Sequence, residues 1–552
     1  MKTWLFKMLS VMLVAVMIMA AVSVSSQPKH TAVSQGKGFS IVSMQPDLLQ
    51  QLRAQGKKVN YPFPNTANKG KKFNPVGDTI PALTTAPIQK VLVLFADFTT
   101  LPPGGPNTPL DLATYFDPML FGTVYNPPEY AAYSGYPTNR TLKNYYKEVS
   151  YNAVDVITLN LPSAMGWMNV NNPYVYYCKA DGVHDNGFGP YPQNAQGLVE
   201  DAVNAADPFV DFSQYSANGE VPNLFVVFRG TGAEWSADPS LIWSHSWDLT
   251  EGTGMNGMIV DGVKINNYAV MPEVGGDWTG YYVPSGPFPP TVGVYAHEYG
   301  HVLGLPDQYD YGYESDGTDV YSLMAGGSWN RYPADRIFSG NSPAHLDAWS
   351  KYRLGFLNPV LVTSAMNNVS LPPVETNAAA YKMVVPNSGG KEYFLFENRQ
   401  QIGFDEGLIR FGTHGLAIYH VDDTVFTRNY WRPNEAENWK EFRSEGWRKA
   451  WTGETHYGIS IMQADDQWDL EHAVFYWITP NVSSSLSGDL YPGLYGVTSI
   501  SSFSKPNSSN YYFWAGSEPK FGFSGVTVNN IAESGGNIKA DMSFVPWTPA
   551  KK

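Results

Sequence analysis

The sequence predicts an α+β protein in which a mixed sheet with a central helix precedes an all-β region. An uninterrupted apolar run at 91–95 is typical of a strand that is buried on both faces, and segments with helical spacing alternate with further strands after it. A largely apolar segment at 292–303 contains the pattern His-Glu-x-x-His and predicts a buried helix. After Pro359, short alternating segments separated by turns predict β-structure alone.

The first 26 residues have the pattern of an export signal. Lys2 and Lys7 precede an apolar stretch at 8–24, and small residues follow it up to the dipeptide Gln27-Pro28. The alternative is an uncleaved membrane anchor, because a stretch of about 17 residues is close to the shortest that spans a bilayer. We expect cleavage, and therefore a secreted protein with no membrane span after signal removal.

Residues 27–87 form a basic leader that is rich in Pro, Gly and Asn. They contain eight Lys or Arg residues against Asp47 and Asp78, whereas the whole chain has a formal net charge of −14. A basic leader before an acidic body predicts a propeptide that lies across an acidic cleft and inhibits the protein until it is removed. The alternative is a disordered linker. The net acidity argues against nucleic acid as a partner.

The chain has a single cysteine, Cys178, which excludes an intrachain disulfide. An exported protein without disulfides needs a large core, bound ions or both for its stability. We predict that Cys178 is a small buried apolar residue. Because it lies outside the leader, latency through a leader cysteine is also excluded.

Residues 88–360 are predicted to form the mixed sheet and its helices. The expected helices are 141–149, with Thr141 as the N-cap, and the amphipathic segment 195–206. The expected strands after 91–95 are 154–161, 224–228 and 268–274, with the last at the sheet edge near the functional site.

The run His297-Glu298-Tyr299-Gly300-His301 has the spacing of a metal site on a helix. Residues four apart on a helix are neighbours, so His297 and His301 can bind one metal ion from the same face. Glu298 points about a third of a turn away, where it can hold a water without binding the metal. Two neutral imidazoles, a further ligand and a carboxylate base together suit chemistry that needs a nucleophilic water at neutral pH.

The residues after this run supply the further ligand. Gly304 allows the chain to leave the helix in a left-handed conformation, and Pro306 prevents the helix from continuing. Asp307 then follows in the loop. Two uses of Asp307 are open, as a zinc ligand or as a calcium ligand, and we favour zinc.

Several segments together resemble one known family. The segment HEYGHVLGLPDQYD resembles the active-site segment of the immune inhibitor A family of secreted bacterial metallopeptidases, which are zincins related to the metzincins. Residues 321–329 are similar to the family's Met-turn, the loop beneath the metal, and residues 343–355 to the segment that follows it. Weaker similarity extends from about residue 90 to about residue 544.

This resemblance implies a metzincin-like zincin domain at 88–360 that acts as a zinc metalloendopeptidase on extracellular proteins. In that family arrangement His297, His301 and Asp307 bind Zn²⁺, and Glu298 takes a proton from a zinc-bound water. Met324 forms an apolar floor beneath the metal. An Asp as third ligand departs from the metzincins, where this position is usually His, but it matches the immune inhibitor A family.

Two acidic stretches suggest calcium as a further cofactor. Asp310, Asp316 and Asp319 follow the metal motif, and a second group lies far along the chain at Asp465, Asp466 and Asp469. Carboxylate oxygens at such density can bind Ca²⁺. The alternative for both stretches is a solvated acidic loop.

Residues 361–552 are predicted to form a C-terminal β-sandwich, from alternating segments such as 381–385, 393–397 and 415–420. This domain leaves a competing function open, that of an exported surface-binding or adhesion protein on a degenerate protease fold. The intact Glu298 argues against this alternative, because a binding module does not need the base. We expect the histidines outside the motif, among them His245, His345, His420 and His472, to be structural.

Overall fold

The computed structural model describes residues 40–55, 85–133, 135–250, 256–275, 288–312, 315–333, 338–428, 432–434, 457–471, 486–511 and 523–546. Residues 34–552 form one compact unit. The predicted signal and His472 lie outside the described residues, and the boundaries at 26, 87 and 360 stay predictions. Within the described ranges, no helix has the length and apolar character that crossing a membrane requires.

The strands of the described residues are short to medium in length and are numbered in chain order. They are β1 (Ser40–Ile41), β2 (Ile88–Lys90), β3 (Leu92–Asp97), β4 (Asp155–Ile157), β5 (Trp167–Asn169), β6 (Leu224–Thr231), β7 (His245–Asp248), β8 (Met258–Val260), β9 (Val263–Ile265), β10 (Asn267–Val274), β11 (Val360–Leu361), β12 (Met366–Leu371), β13 (Tyr381–Val384), β14 (Glu392–Arg399), β15 (Gly415–Asp422), β16 (Ile459–Ile461), β17 (Val526–Ser534) and β18 (Asn537–Phe544).

The α-helices of the same residues are numbered in the same way. They are α1 (Pro46–Ala54), α2 (Leu112–Phe116), α3 (Leu142–Val149), α4 (Pro162–Met165), α5 (Tyr174–Tyr177), α6 (Ala195–Ala206), α7 (Val292–Val302), α8 (Ala348–Arg353) and α9 (Asp423–Arg428). Helix α7 carries the His-Glu-x-x-His pattern and is called the site helix below.

A six-stranded mixed sheet forms the first layer, in the order β1-β7-β10-β6-β3-β5. Strands β10, β6, β3 and β5 are parallel to one another, whereas β7 is antiparallel to β10 and β1 is antiparallel to β7. Every residue of β6 is buried, as expected for a central parallel strand. The site helix packs against β10.

Two expectations for this sheet are wrong. Strand β10 is an interior strand rather than an edge strand, because β7 and the leader strand β1 lie outside it. The strand predicted at 154–161 is confined to Asp155–Ile157. Beyond it, the amides of Leu159 and Asn160 donate to the hydroxyl of Tyr215 instead of to a neighbouring strand, and Pro162 then begins a helix.

The two predicted helices and the predicted burial of Cys178 are confirmed. Thr141 caps α3 by accepting from the amide of Asn144 at 3.1 Å, and Asn194 caps α6 by accepting from the amide of Gly197 at 3.0 Å. The apolar face of α6 is buried in the core, and so is Cys178.

The second half of the chain contains a five-stranded and a three-stranded sheet. Their orders are β11-β13-β14-β15-β16 and β12-β18-β17, and apart from the β11–β13 pair all neighbours are antiparallel. One buried apolar cluster takes residues from both sheets, including Phe394, Phe396 and Ile418 from the first and Val528 and Ile538 from the second. The two sheets therefore share one core.

Candidate metal centre

The site helix ends in a Schellman turn at Gly304. This residue has a φ of +101°, its amide donates to the carbonyl of His301 at 2.8 Å, and the amide of Leu305 donates to the carbonyl of Gly300 at 3.0 Å. The carbonyl of Leu305 then lies 2.9 Å from Nδ1 of His301. The turn that ends the helix therefore also orients one of the two motif histidines.

The second histidine is oriented from the Met-turn. Nδ1 of His297 lies 2.8 Å from the carbonyl oxygen of Leu323, which immediately precedes Met324. A carbonyl only accepts hydrogen bonds, so in both His297 and His301 the proton must lie on Nδ1. Both imidazoles therefore present the lone pair of Nε2 to the space between them.

Three ligand atoms converge in that space. The Nε2 atoms of His297 and His301 are 3.0 Å apart, and Oδ1 of Asp307 lies 3.1 Å from each. With Nδ1 protonated, the two Nε2 atoms are both acceptors, so this contact is favourable only with a cation between them. Among the described residues, this is the only group in which three His, Cys, Asp or Glu side chains bring ligand atoms within 4.8 Å of one another.

The electrostatics of the group suit a divalent cation. Burial lowers the pKa of His297 and so keeps its imidazole neutral, as a metal ligand requires. Asp307 is buried as well and contributes a carboxylate oxygen as the third donor atom. Two imidazoles and one carboxylate form a donor set that binds zinc in catalytic sites.

Glu298 lies beside this group without joining it. It is fully buried, and neither of its carboxyl oxygens accepts a hydrogen bond from a described residue. Burial holds its pKa well above the usual range, and Asp307 and Glu234 act in the same direction; the nearby amide of Val42, whose hydrogen bond goes to the carbonyl of Ser244, opposes them. An unpartnered buried carboxyl with a raised pKa is typical of a group that exchanges protons.

Met324 packs against the site helix at Gly300. It is fully buried, and a Cβ built on Gly300 would come within 2.4 Å of its sulfur. The thioether therefore fills the space that the absent side chain of Gly300 leaves. Glycine in the middle of this helix allows the Met-turn to approach the metal group closely.

Three residues that the sequence analysis missed support Asp307. Tyr311, four residues further on, donates its hydroxyl proton to Oδ2 of Asp307 and leaves Oδ1 to the histidines. The amide of Gln308 donates to the carbonyl of Met324 at 2.8 Å, and its side-chain amide donates to Asp347 at 2.9 Å. Of these three residues, only Tyr311 could have been suggested by the sequence, because it lies four positions after Asp307.

A described segment of the leader, residues 40–45, lies beside the metal group. Strand β1 pairs with the outer edge of β7, in the register Ser40 with Ser246 and Ile41 with His245. The amide of Val42 donates to the carbonyl of Ser244 at 3.3 Å, and the hydroxyl of Tyr309 donates to the carbonyl of Ile41. With this segment in place, all four residues of the predicted site are buried.

The rest of the described leader is fixed by tryptophans and by one acidic residue. The indole of Trp243 donates to the carbonyl of Val42 at 2.9 Å, and that of Trp329 donates to the carbonyl of Ser43 at 3.1 Å. Asp47 forms ion pairs with Arg410 at 3.0 Å and with Arg331 at 3.6 Å.

This charge pairing involves an acidic residue of the leader, whereas the prediction concerned its basic residues. Burial acts to raise the pKa of Asp47, yet Arg410 and Arg331 together hold it below its usual value, so the leader carboxylate is charged against a basic surface. Of the eight leader Lys and Arg residues, only Arg53 lies in a described segment. The expected contact between leader lysines and an acidic cleft stays a prediction.

The two acidic stretches differ in how their carboxylates are arranged. Asp310, Asp316 and Asp319 are described, and among the described residues neither they nor the second stretch form a three-ligand group. Asp465 and Asp469 lie close to the buried residues Gln463 and Asp489: the amide of Gln463 donates to Oδ1 of Asp469 at 2.5 Å and to Oδ1 of Asp489 at 3.1 Å. Asp466 directs Oδ1 to the indole of Trp468 instead.

The cluster around Gln463 contains unused acceptor atoms. Oδ2 of Asp465, Oδ2 of Asp469 and Oε1 of Gln463 are buried and receive no hydrogen bond from a described residue. Burial raises the pKa of Asp465 to about 6, and the neighbouring carboxylates act in the same direction. Residues Gln463 and Asp489 were missed in the sequence, because 26 residues separate them.

The described histidines outside the motif have structural surroundings. His245 lies in β7 with Nδ1 against the carbonyl of Trp243 at 2.8 Å, and burial lowers its pKa to about 4. His345 contacts Glu148, and His420 contacts Glu392 while it stacks between Phe394 and Tyr511.

Comparison with known proteins bears on residues 85–356. This segment matches the family model described as the immune inhibitor A peptidase M6 catalytic domain. Immune inhibitor A of Bacillus thuringiensis subsp. alesti is 30% identical over 233 residues, which are 38% of this chain and 32% of that protein. Pre-pro-metalloprotease PrtV of Vibrio cholerae serotype O1 (strain M66-2) is 28% identical over 297 residues, which are 48% of this chain and 29% of that protein. The chain thus spans about a third of the length of the curated relatives it matches.

Proposed function

Because the chain belongs, through residues 85–356, to the immune inhibitor A peptidase M6 family, we propose that it is a secreted zinc-dependent endopeptidase. Its substrates are peptide bonds in extracellular proteins. The observation that carries the proposal is the convergence of Nε2 of His297, Nε2 of His301 and Oδ1 of Asp307 beside the unpartnered carboxyl of Glu298. Secretion rests on the export-signal pattern of residues 1–26.

In this proposal His297, His301 and Asp307 hold the zinc ion. A bound zinc ion would supply Lewis acidity, which polarises a carbonyl and lowers the pKa of water from about 15.7 to roughly 7. Glu298 accepts the proton of the attacking water and returns it to the leaving amine. Its raised pKa suits both steps, because the carboxylate is a better base when burial destabilises its charged form.

The protein substrate takes the place of the leader along β7. A chain in extended conformation adds a strand to a sheet edge through backbone hydrogen bonds, so it can bind without a particular sequence. The carbonyl of Ser244 and the backbone of Ser246 now bond to the leader and would serve the substrate in the same way. Tyr309 would donate to a substrate carbonyl, as it does to that of Ile41.

The same contacts support a zymogen in which the leader is the protein's own inhibitor. Residues 41–45 are buried, the backbone of Val42 lies near Glu298, and strand β1 uses the edge that the substrate needs. A second strand cannot pair with β7 until this segment leaves. Removal of the leader therefore exposes the metal group and the substrate edge together.

For the second half of the chain we propose a β-sandwich, supported by the apolar cluster that its two larger sheets share. Calcium is proposed only for the cluster of Asp465, Asp469, Asp489 and Gln463, where the unpartnered oxygen of a fully buried amide accompanies the carboxylates. Within the described ranges, neither acidic stretch has the three-ligand convergence seen at His297, so the proposal rests on the unpartnered oxygens alone.

Metal analysis of the full chain tests the proposal, with Asp307→Ala as the informative variant. We expect one zinc per wild-type chain, casein cleavage after leader removal that a chelator abolishes and zinc restores, and loss of bound zinc in Asp307→Ala. A wild-type chain that binds no zinc, or cleavage that survives chelation, contradicts the proposal. A wild-type chain that binds no zinc and cleaves no casein would favour a surface-binding protein.

A further inference from the structure

A buried ion pair lies behind the Met-turn and outside the segment that matches the peptidase family. Arg399 ends strand β14, and Asp405 follows it in the next turn; both are fully buried. The pair is bidentate, with Nε of Arg399 2.7 Å from Oδ2 of Asp405 and Nη2 2.8 Å from Oδ1. Both residues lie beyond residue 356, where the family match ends.

Each partner of this pair also holds backbone of the catalytic region. Nη1 of Arg399 donates to the carbonyl of Tyr321 at 2.6 Å, at the start of the Met-turn. Oδ1 of Asp405 accepts from the amide of His345 at 2.8 Å. The two contacts therefore fix two separate backbone segments relative to each other.

These two segments lead to the zinc ligand His297. The carbonyl of His345 accepts from the amide of Leu323 at 3.2 Å, and the carbonyl of Leu323 faces Nδ1 of His297 at 2.8 Å. Asp405 thus acts on Leu323 through His345, whose carbonyl accepts from the amide of Leu323. Arg399 holds the carbonyl of Tyr321, two residues before Leu323. The direction of the Leu323 carbonyl sets the orientation of the imidazole.

Stability alone does not account for a buried pair of this kind. Taking two charges out of water costs several kcal/mol each, and replacing such a pair by apolar residues of similar volume is often neutral or stabilising. Arg399 also contacts Glu397 at 3.2 Å, and Lys351 pairs with Glu397 at 3.1 Å, so several desolvated charges are concentrated here. The hydrogen bonds of Arg399 to the carbonyl of Tyr321 and of Asp405 to the amide of His345 suggest instead that the pair holds these two backbone segments in place.

We propose that Arg399 and Asp405 are positioning residues for the metal site, which hold the Met-turn backbone so that His297 presents Nε2 to the zinc ion. The inference rests on the proposed zinc site. It implies that residues 85–356 do not bind zinc with full affinity without the strand that carries Arg399. Hydrogen-bond partners of metal ligands typically change metal affinity about 10–100-fold when they are removed.

The test is a double substitution, Arg399→Met with Asp405→Leu, in the full chain carrying Glu298→Gln to prevent self-cleavage. The apolar pair removes both backbone contacts together with one charge of each sign, and Glu397 keeps Lys351 as its partner. We expect the zinc dissociation constant, measured by competition with a chromophoric chelator, to rise about 10–100-fold. We also expect the visible bands of the Co²⁺-substituted protein to shift, because they report ligand geometry.

The matched control is Arg140→Met with Glu406→Leu. Arg140 pairs with Glu406 at 2.6 Å next to Asp405, but its other hydrogen bonds go to Asn139, Ser342 and Gly403. This control should keep the parent zinc affinity and Co²⁺ spectrum, since these contacts do not lead to the Met-turn. Loss of zinc affinity in the control equal to that in the test variant would overturn the inference, because any broken pair would then act alike.

Wild-type zinc affinity and an unchanged Co²⁺ spectrum in a folded double variant would also overturn the inference and leave the proposed function intact. If the double variant does not fold, Arg399→Lys carries the same test, because a single ammonium cannot replace the guanidinium contacts to Asp405 and Tyr321 together. A parent chain that binds no zinc contradicts the proposed function itself, and the inference falls with it.

Discussion

The proposed latency of the full chain predicts that one substitution in the leader, Val42→Ala, raises its residual activity. Val42 is fully buried beside the metal group, and its backbone bonds to Ser244 and Trp243 do not depend on the side chain. The substitution therefore removes apolar contact from the closed state and leaves the backbone pairing in place. In the open state the leader is exposed to water, so the same two methyl groups contribute little there.

The expected magnitude follows from this burial. Two buried methyl groups contribute about 0.8 kcal/mol each, and the cavity that they leave brings the total to about 2 kcal/mol. At about 1.4 kcal/mol for each factor of ten, the open fraction of the latent chain rises about 30-fold.

The assay is the initial rate of cleavage of a quenched fluorescent peptide by the intact chain, with a gel to show that the leader is still attached. We expect a residual rate about 30-fold above wild type for Val42→Ala and no change for Gln50→Ala, whose side chain is exposed on the same leader. After proteolytic removal of the leader, both variants should match the wild type. An intact Val42→Ala chain no more active than wild type would refute the inhibitory role of this segment.

Three further outcomes follow from individual contacts. Asp47→Asn should raise the residual rate of the latent chain only about two- to five-fold, because its ion pairs with Arg410 and Arg331 are partly exposed; a rise as large as that of Val42→Ala would contradict this. Burial raises the pKa of Glu234 to about 7, so between about pH 4.5 and 7 the unfolded chain loses a proton that the folded chain keeps, and stability falls as the pH rises. In urea titrations, the free energy of unfolding of Glu234→Gln minus that of its parent should therefore rise by about 3 kcal/mol as the pH goes from about 4.5 to 7. A difference that is independent of pH would disprove the assignment. Saturating Ca²⁺ should raise the melting temperature of the wild type but not that of Asp469→Asn. At a Ca²⁺ concentration a hundred times the dissociation constant, binding stabilises the folded state by about 2.7 kcal/mol. Equal shifts in melting temperature in both proteins would exclude this site.

The metal helix was predictable because its determinants are local. The spacing of His297 and His301, the stop at Gly304 and the position of Asp307 all lie within eleven residues, and backbone geometry places such neighbours without help from the rest of the fold. Met324 is also close in sequence, and Gly300 leaves the space into which it packs.

The features that the sequence did not predict depend on distant partners. Strand β10 was placed at the sheet edge because its neighbour β7 is short and polar, and the pairing of β7 with leader residues about 200 positions earlier has no signal in composition. The ion pairs of Asp47 with Arg410 and Arg331 were also not predicted, since a count of charges does not show which ones meet. Arg399 lies 78 residues from Tyr321, and Asp489 26 residues from Gln463, so neither contact could be read from spacing.

The most direct test of the central claim compares the wild type with Glu298→Gln after leader removal, measuring zinc content and peptide cleavage on the same samples. The amide keeps the shape of the carboxyl group but cannot take up the proton, so we predict one zinc per chain in both proteins and loss of cleavage in the variant alone. Undiminished cleavage by Glu298→Gln would contradict the account.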